Sequence, residues 1–150
     1  RQDSVRLGLE ALGPCDLVLV HDGARLLIEP VISEGLEAAR ETGAALPAIP
    51  IADTVKVAGP DGTVDRTLDR SRLWAAQTPQ VFRYDLLLRA HREVTADVTD
   101  DAAMVEALGL PVKLYPGSPL NIKVTSPEDL RLAQGLLQEA PHPSRATRDP

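Results

Sequence analysis

Apolar positions in the first fifty residues alternate between helical spacing and short continuous runs. Helical spacing predicts helices over residues 3–12, where Asp3-Ser4 can form the cap, and 30–42. The run Leu17–Val20 between them predicts a strand buried on both faces. Residues 44–51 are also apolar but contain two prolines, which predicts a strand that leaves the sheet. The order helix, strand, helix, strand favours an α/β fold with a largely parallel sheet.

The next twenty residues break this order and predict a β-hairpin arm, about residues 52–72. Alternating residues at 53–57 and 63–68 flank the turn Gly59-Pro60-Asp61-Gly62. The arm carries little apolar material, and a lone two-stranded hairpin is marginally stable in water. We therefore expect a partner subunit to support it, with an exposed flap as the alternative.

Residues 73–82 hold the single Trp and the single Phe of the chain. We expect Trp74 and Phe82 to anchor the core around a turn at Thr78-Pro79. Helical spacing then predicts a helix over residues 84–94, with His91 on its surface.

The last third of the chain predicts two helices and two strands. Thr99-Asp100-Asp101 starts the first helix, and strands at residues 111–115 and 121–125 follow. Ser126-Pro127 starts the final helix. Its predicted apolar face consists of Leu130, Ala133, Leu136 and Leu137. We expect residues 1–139 to belong to one domain and residues 140–150, rich in Pro, Ser and Arg, to be a disordered tail.

Composition excludes several classes of function. The net charge of −6 and the aromatic content of 3% argue against a nucleic-acid partner. No apolar run approaches the ~20 residues of a membrane span, and no signal peptide is present, so a cytoplasmic protein without a membrane partner is expected. The single cysteine, Cys15, excludes an internal disulfide and is expected to pack as a small apolar residue.

Candidate chemistry follows the first strand, at His21-Asp22-Gly23-Ala24-Arg25. Ligands of open α/β sheets lie beyond the carboxyl ends of strands, where a carboxylate can face a cation and a guanidinium a phosphate. A structural ion pair is the alternative interpretation. Lys123 can supply a point charge for phosphate, or it can protect an edge strand from aggregation. Threonines at element ends can cap backbone or hold phosphate oxygens: Thr54, Thr78, Thr99 and Thr125.

Taken in order, several segments form a recognisable series. They are Asp3-Ser4-Val5, Val20–Arg25, Pro50–Lys56, Asp69-Arg70, Leu73-Trp74, Gln77–Phe82, Thr99-Asp100-Asp101 and Asn121–Thr125. This series resembles the 2-C-methyl-D-erythritol 4-phosphate cytidylyltransferase family of the non-mevalonate isoprenoid pathway. Gly23 and Leu26 stand where the family commonly has Ala and Pro. The family's N-terminal strand, Gly-rich loop with a catalytic Arg, and further catalytic Lys have no counterpart here. The chain thus resembles the C-terminal part of such an enzyme, and we expect it to be inactive alone.

The resemblance implies a Rossmann-like nucleotidyltransferase fold, a three-layer α/β architecture whose hairpin arm exchanges between the subunits of a homodimer. It implies transfer of CMP from CTP to methylerythritol phosphate, with Mg²⁺ on the triphosphate and release of pyrophosphate. Arg70 and Lys123 would position the substrate phosphate, and Asp22 would bind the metal. The nucleotide would contact Ser4, Asp22, Gly23 and Ala24. The sugar phosphate would contact Asp22, Arg25, Thr54, Arg70, Thr78, Thr99, Lys123 and Thr125, with Thr54 and Arg70 acting in the partner's site.

Three alternatives remain open from the sequence. A related cytidylyltransferase acting on ribitol 5-phosphate would share the fold and much of the Asp, Arg and Lys arrangement. The chain could instead be a non-catalytic oligomerisation module. It could also be half of a bifunctional isoprenoid enzyme, although no second domain is visible in residues 140–150.

Overall fold

This computed structural model describes residues 2–26 and 29–139, in which helices and strands alternate as far as β2 and less regularly after it. The helices are α1 (Gln2–Leu12), α2 (Glu29–Thr42), α3 (Tyr84–Glu93), α4 (Asp101–Ala107) and α5 (Pro127–Glu139). The strands are β1 (Leu17–Val20), β2 (Ala44–Pro50), β3 (Lys56–Ala58), β4 (Val64–Thr67), β5 (Trp74–Ala76), β6 (Gln80–Arg83) and β7 (Lys113–Pro116). The predicted tail at 140–150 lies outside the described residues.

Five strands form the main sheet, in the order β1-β6-β2-β5, with β7 also paired to β2. Only the β2–β7 pair is parallel, and β6 runs antiparallel between β1 and β2. The prediction of a largely parallel sheet was therefore wrong. The reason is that residues 74–83, expected to surround a turn, run back through the sheet as the two antiparallel strands β5 and β6.

Strand β2 is central, which contradicts the prediction that its prolines take it out of the sheet. The Pro47 carbonyl accepts a hydrogen bond from the Gln77 N–H (2.7 Å), at the interruption between β5 and β6. Pro50 is the last residue of β2 and lies beyond Ala48, whose partner Pro116 ends β7. The N–H groups that proline lacks thus fall where a neighbouring strand is interrupted or has ended.

Helices cover both faces of the sheet, so the architecture has the expected three layers. On one face Leu9, Phe82 and Leu87 belong to a buried cluster formed with α1, α3 and α4. On the other face Val81 packs with residues of α2 and with Tyr115. Phe82 and Val81 are adjacent in β6 and point to opposite faces, as strand geometry requires.

Several burial predictions were wrong because neighbouring elements were not visible in the sequence. Trp74 is 46% exposed, since it lies on the three-residue strand β5 rather than in the core. Leu19 of β1 is 38% exposed, so this strand is not buried on both faces. Among the described residues β1 pairs only with β6. Cys15 is exposed instead of packed, with its Sγ 3.5 Å from the Leu17 carbonyl oxygen.

The two remaining corrections concern helices α3 and α5. The His91 side chain is only 2% exposed, because α4 packs over it, so it does not lie on the surface. On α5 only Ala133 of the four predicted apolar positions is buried, and Leu130 and Leu137 are exposed. None of the described helices is long and apolar enough to cross a membrane.

Helix ends and the hairpin agree with the sequence patterns. Gly43 and Gly109 follow α2 and α4 with φ of 84° and 74°, the left-handed conformation that glycine adopts without strain. Ser126 caps α5, since its hydroxyl accepts from the Asp129 N–H and its own N–H donates to the Asp129 carboxylate. Helix α1 starts earlier than predicted, so Asp3-Ser4 lies within its first turn. Strands β3 and β4 form a separate two-stranded sheet, as predicted for the hairpin, and its role as an arm between subunits stays a prediction.

Candidate functional site

Two distant segments meet at the end of β1 and build the candidate site. Arg25 and Lys123 form an antiparallel bridge, supported by the hydrogen bond from the Val124 N–H to the Ala24 carbonyl (2.7 Å). This single bridge replaces the short strand predicted at residues 121–125. It also brings the Lys123 side chain to Asp22.

Asp22 lies between two cationic side chains. Its Oδ2 is 3.1 Å from Lys123 Nζ and 3.5 Å from Arg25 Nε. The Asp22 and Arg25 side chains are 20% and 13% exposed, whereas Lys123 is 47% exposed and reaches solvent. The two cations, Arg25 and Lys123, are balanced by Asp22 and by a second carboxylate that lines the same cleft, Asp100. Lys123 is the charge that an anionic ligand can reach most easily, because it is the most exposed side chain of the cluster. The same geometry also suits a structural ion pair.

The surroundings form an open cleft with a volume of about 280 Å³. This volume is close to the lower end of the ~300–1,000 Å³ typical of small-molecule sites. Among the predicted site residues, those that line the cleft are Asp22, Arg25, Thr78, Thr99 and Lys123. Four other lining residues were not predicted as site residues: Ala76 of β5, Gln77 between β5 and β6, Gln80 of β6, and Asp100, which precedes α4.

Thr78 is buried at the base of this cleft, 5% exposed. Its Oγ1 accepts a hydrogen bond from the Asp22 N–H (3.0 Å) and lies 3.1 Å from His21 Nδ1. A threonine hydroxyl has one hydrogen and two lone pairs, so it can serve both the protein and a ligand oxygen. Thr78 therefore holds the backbone of Asp22 in place at the cleft.

A buried amide network fixes the loop that carries Lys123. The Asn121 side chain is buried, since the residue is only 1% exposed, and its Nδ2 donates a hydrogen bond to the Thr78 backbone carbonyl (2.7 Å). The backbone carbonyl of Asn121 accepts a hydrogen bond from Arg25 Nη1 (2.9 Å). The Gln77 side chain pairs with the backbone of Ser118: Gln77 Nε2 donates to the Ser118 carbonyl, and the Ser118 N–H donates to Gln77 Oε1. Sequence reasoning missed Asn121 and Gln77, although Asn121 is the only asparagine in the chain and lies between Leu120 and Ile122.

The opposite wall of the cleft is the N-terminus of α4. The Asp100 carboxylate caps this helix by accepting from the Ala103 N–H (2.9 Å), and it also accepts from Gln80 Nε2 (2.7 Å). Gln80 Oε1 accepts in turn from the Ala102 N–H (3.1 Å). Asp100 therefore has a structural task at the cleft and holds the wall to β6.

The structure does not bring all the predicted residues to the cleft. Ser4 lies exposed on α1, and Gly23 and Ala24 form the exposed turn after Asp22. Thr125 is exposed and is engaged with Asp129, its Oγ1 donating to Oδ2 over 2.8 Å. The Thr125 backbone N–H, and then the hydroxyl groups of Thr125 and Ser126, hold the pKa of Asp129 below its usual value.

Thr54 and Arg70 lie at the base of the hairpin arm. Both are exposed, and neither lines the cleft of their own chain. Arg70 donates a hydrogen bond to the Ala52 carbonyl, which joins the segment after β4 to the start of the arm. A role in another subunit's cleft remains a prediction.

A metal ion would need ligands from outside the described part of the chain. Within residues 2–26 and 29–139 no three His, Cys, Asp or Glu side chains are grouped closely enough to hold one. Mg²⁺, however, usually binds one or two carboxylates together with substrate phosphates. Asp22 at the mouth of the cleft can supply one such carboxylate, so the residues fit a shared metal site.

Comparison with known proteins points to one family. The sequence profile of IspD, 2-C-methyl-D-erythritol 4-phosphate cytidylyltransferase, matches residues 1–139. The enzyme of that name from Dehalococcoides mccartyi is 54% identical over 140 residues, covering 93% of this chain and 62% of that protein. A bifunctional enzyme IspD/IspF from Desulforudis audaxviator is 51% identical, covering 94% of this chain and 37% of that protein.

Solved structures agree with the sequence comparison. The crystal structure of 2-C-methyl-D-erythritol 4-phosphate cytidylyltransferase from Thermus thermophilus matches with a TM-score of 0.83 and 40% identity. The match covers 91% of this chain and 69% of that one. The chain spans about 62% of the length of the two Dehalococcoides mccartyi relatives.

Proposed function

Because this chain belongs to the 2-C-methyl-D-erythritol 4-phosphate cytidylyltransferase family, we propose that it supplies the sugar-phosphate side of a site that transfers CMP from CTP to 2-C-methyl-D-erythritol 4-phosphate. The observation that supports this most directly is the polar cleft in which Asp22 lies between Arg25 and Lys123. The matched family and the relatives carry the methylerythritol phosphate name, so the ribitol phosphate alternative is not favoured.

The proposed chemistry requires alignment and charge neutralisation rather than a general base. A phosphate monoester is already an adequate nucleophile near neutral pH, so its oxygen needs only to be held in line with the α-phosphorus of CTP. Lys123 would hold the phosphate by charge, and Thr78 and Thr99 would donate hydrogen bonds to it from the cleft walls. Arg25 would neutralise further charge beside Asp22.

A divalent cation, Mg²⁺, would be held by Asp22 together with the triphosphate. When bound it neutralises charge on the phosphates of the nucleotide. Asp22 is suited to this task because its backbone is fixed by Thr78 and its carboxylate lines the cleft. Gly23, Ala24 and Ser4 would contact the nucleotide, which approaches from the exposed side of this turn.

We further propose that the hairpin arm joins two copies of the chain into a homodimer. Val64 of the arm is 62% exposed, and the two-stranded sheet has no described neighbour that buries it. Such a hairpin is only marginally stable by itself. A partner subunit would bury the hairpin and would receive Thr54 and Arg70 in its cleft. This arrangement would account for the absence of both residues from the cleft of their own chain.

Mixed dimers test the proposed site and the arm together, using the full-length gene product. Lys123→Ala and Arg70→Ala should each lower turnover by orders of magnitude in CMP transfer to methylerythritol phosphate, because each removes a charge from the transferring phosphates. If Arg70 acts in the partner's cleft, unfolding and refolding an equimolar mixture restores about a quarter of the wild-type rate, since half of the dimers have one intact site.

The same experiment contains its own refutations. A mixture as inactive as its components would show that Arg70 and Lys123 act within one chain. Near-normal rates in both single variants would remove their positioning roles. Lys113→Ala serves as the matched control, because Lys113 pairs with Glu41 on the surface outside the cleft and should leave turnover unchanged.

A further inference from the structure

A buried, hydrogen-bonded side-chain pair lies behind the α4 wall of the cleft. His91 Nε2 of α3 is 3.0 Å from Oδ1 of Asp101, the first residue of α4. The two side chains are 2% and 0% exposed. We describe this contact with the ring N–H of His91 donating to the carboxylate of Asp101. Neither residue lines the cleft, and the proposed chemistry uses neither of them.

The pair is nevertheless joined to the cleft by a short path. Asp101 follows the helix cap Asp100 directly, and Thr99 precedes that cap; both Thr99 and Asp100 line the cleft. The same helix turn is held from the other side by Gln80, which bonds to Asp100 and to the Ala102 N–H. Gln80 on β6 and His91 on α3 therefore hold the first turn of α4 by hydrogen bonds from two sides.

If only Gln80 held the first turn of α4, the position of that turn would be less well defined. The segment between α3 and α4, residues 94–100, has no helix or strand that could hold Thr99 in place. Its position then depends on the turn that follows it. Burying a carboxylate is costly unless it is hydrogen-bonded, so the hydrogen bond that His91 donates from α3 stabilises Asp101 in this buried position.

We propose that His91 is a positioning residue for the sugar-phosphate side of the site. It acts through Asp101 and the first turn of α4 to hold the Thr99 hydroxyl at the cleft. This inference rests on the proposed function, because it assigns Thr99 to the methylerythritol phosphate. Displacing one hydrogen-bond donor from a charged ligand weakens its binding by roughly tenfold.

The test uses the full-length gene product with four variants and separate KM values for the two substrates. His91→Leu keeps most of the side-chain volume but removes the donor, and it should raise KM for methylerythritol phosphate about tenfold while KM for CTP changes less than twofold. His91→Gln retains an N–H near the Nε2 position and should recover most of the loss. Leu87→Ala removes a buried side chain one turn earlier on α3. It should lower the melting temperature without changing either KM.

Two further measurements make the outcome decisive. If His91 acts through Thr99, adding His91→Leu to Thr99→Val should leave KM for methylerythritol phosphate where Thr99→Val alone puts it. Hydrogen exchange at the Ala102 and Ala103 amides should accelerate in His91→Leu and not in Leu87→Ala. Unchanged KM in His91→Leu, equal KM shifts in Leu87→Ala, or additive effects with Thr99→Val would each overturn the inference. Absence of CMP transfer by the wild type would refute the proposed function, and amide exchange would still show whether His91 holds the turn.

Discussion

Replacing Asn121 with alanine is expected to destabilise the fold and loosen the Lys123 loop. The Asn121 side chain is 1% exposed and donates a 2.7 Å hydrogen bond to the Thr78 carbonyl. Without it, this buried carbonyl loses a donor, which costs about 1–3 kcal/mol. The space left by the amide adds roughly 1 kcal/mol. The expected loss is therefore about 2–4 kcal/mol, a fall in melting temperature of roughly 5–15 °C.

Urea unfolding followed by circular dichroism measures this loss as a shift of the midpoint at constant slope. Gln134→Ala is the matched control, because it removes an exposed amide from α5 and should change stability by less than about 0.5 kcal/mol. A loss below about 1 kcal/mol in Asn121→Ala would refute the reasoning, since it would mean that the Thr78 carbonyl finds another donor or reaches water.

Three further predictions concern single residues. At Gly35 an added Cβ would lie 2.5 Å from the Tyr115 hydroxyl oxygen, so Gly35→Ala should destabilise the fold by about 1–3 kcal/mol in thermal unfolding. At Gly23 an added Cβ meets nothing within 4 Å, so Gly23→Ala should leave the melting temperature nearly unchanged; a clear fall would show that another part of the chain lies against this turn. The pKa of Asp129 is lowered on folding, so the stability that this carboxylate gives the folded state is complete above about pH 4 and is lost as the pH falls through the lowered pKa. Acid should therefore fray the start of α5 in amide exchange, and an Asp129→Asn variant that retains this acid response would contradict the assignment.

Local chemistry explains what the sequence could predict. Stop signals such as Gly43 and Gly109, the Ser126 cap and the turn of the arm depend on neighbouring residues only, and the structure has each of them where expected. Asp22 and Lys123 could each be named as candidates from their positions at element ends, but the ion pair between them was not predicted.

Features that depend on distant neighbours were not accessible. The prolines of β2 predict a strand that leaves the sheet unless the interruption between β5 and β6 is known. His91 was expected at the surface and is buried, whereas Trp74 was expected in the core and is exposed. Burial depends on whether a distant element such as α4 covers the position. Asn121 was missed for the same reason: its importance comes from the Thr78 carbonyl, which lies far from it in the sequence.

The bridge between Arg25 and Lys123 also sets an order of events during synthesis. These residues are about a hundred positions apart, so at roughly 5–20 residues per second Asp22 is synthesised about 5–20 s before Lys123. Strand β2 can pair with β6 and β7 only after those strands have been synthesised. The pairing of β1 with β6 likewise requires residues 80–83. Nascent chains stalled before residue 113 should therefore expose the β7-facing edge of β2 and be held by chaperones, and the cleft should form only after Lys123 has been synthesised.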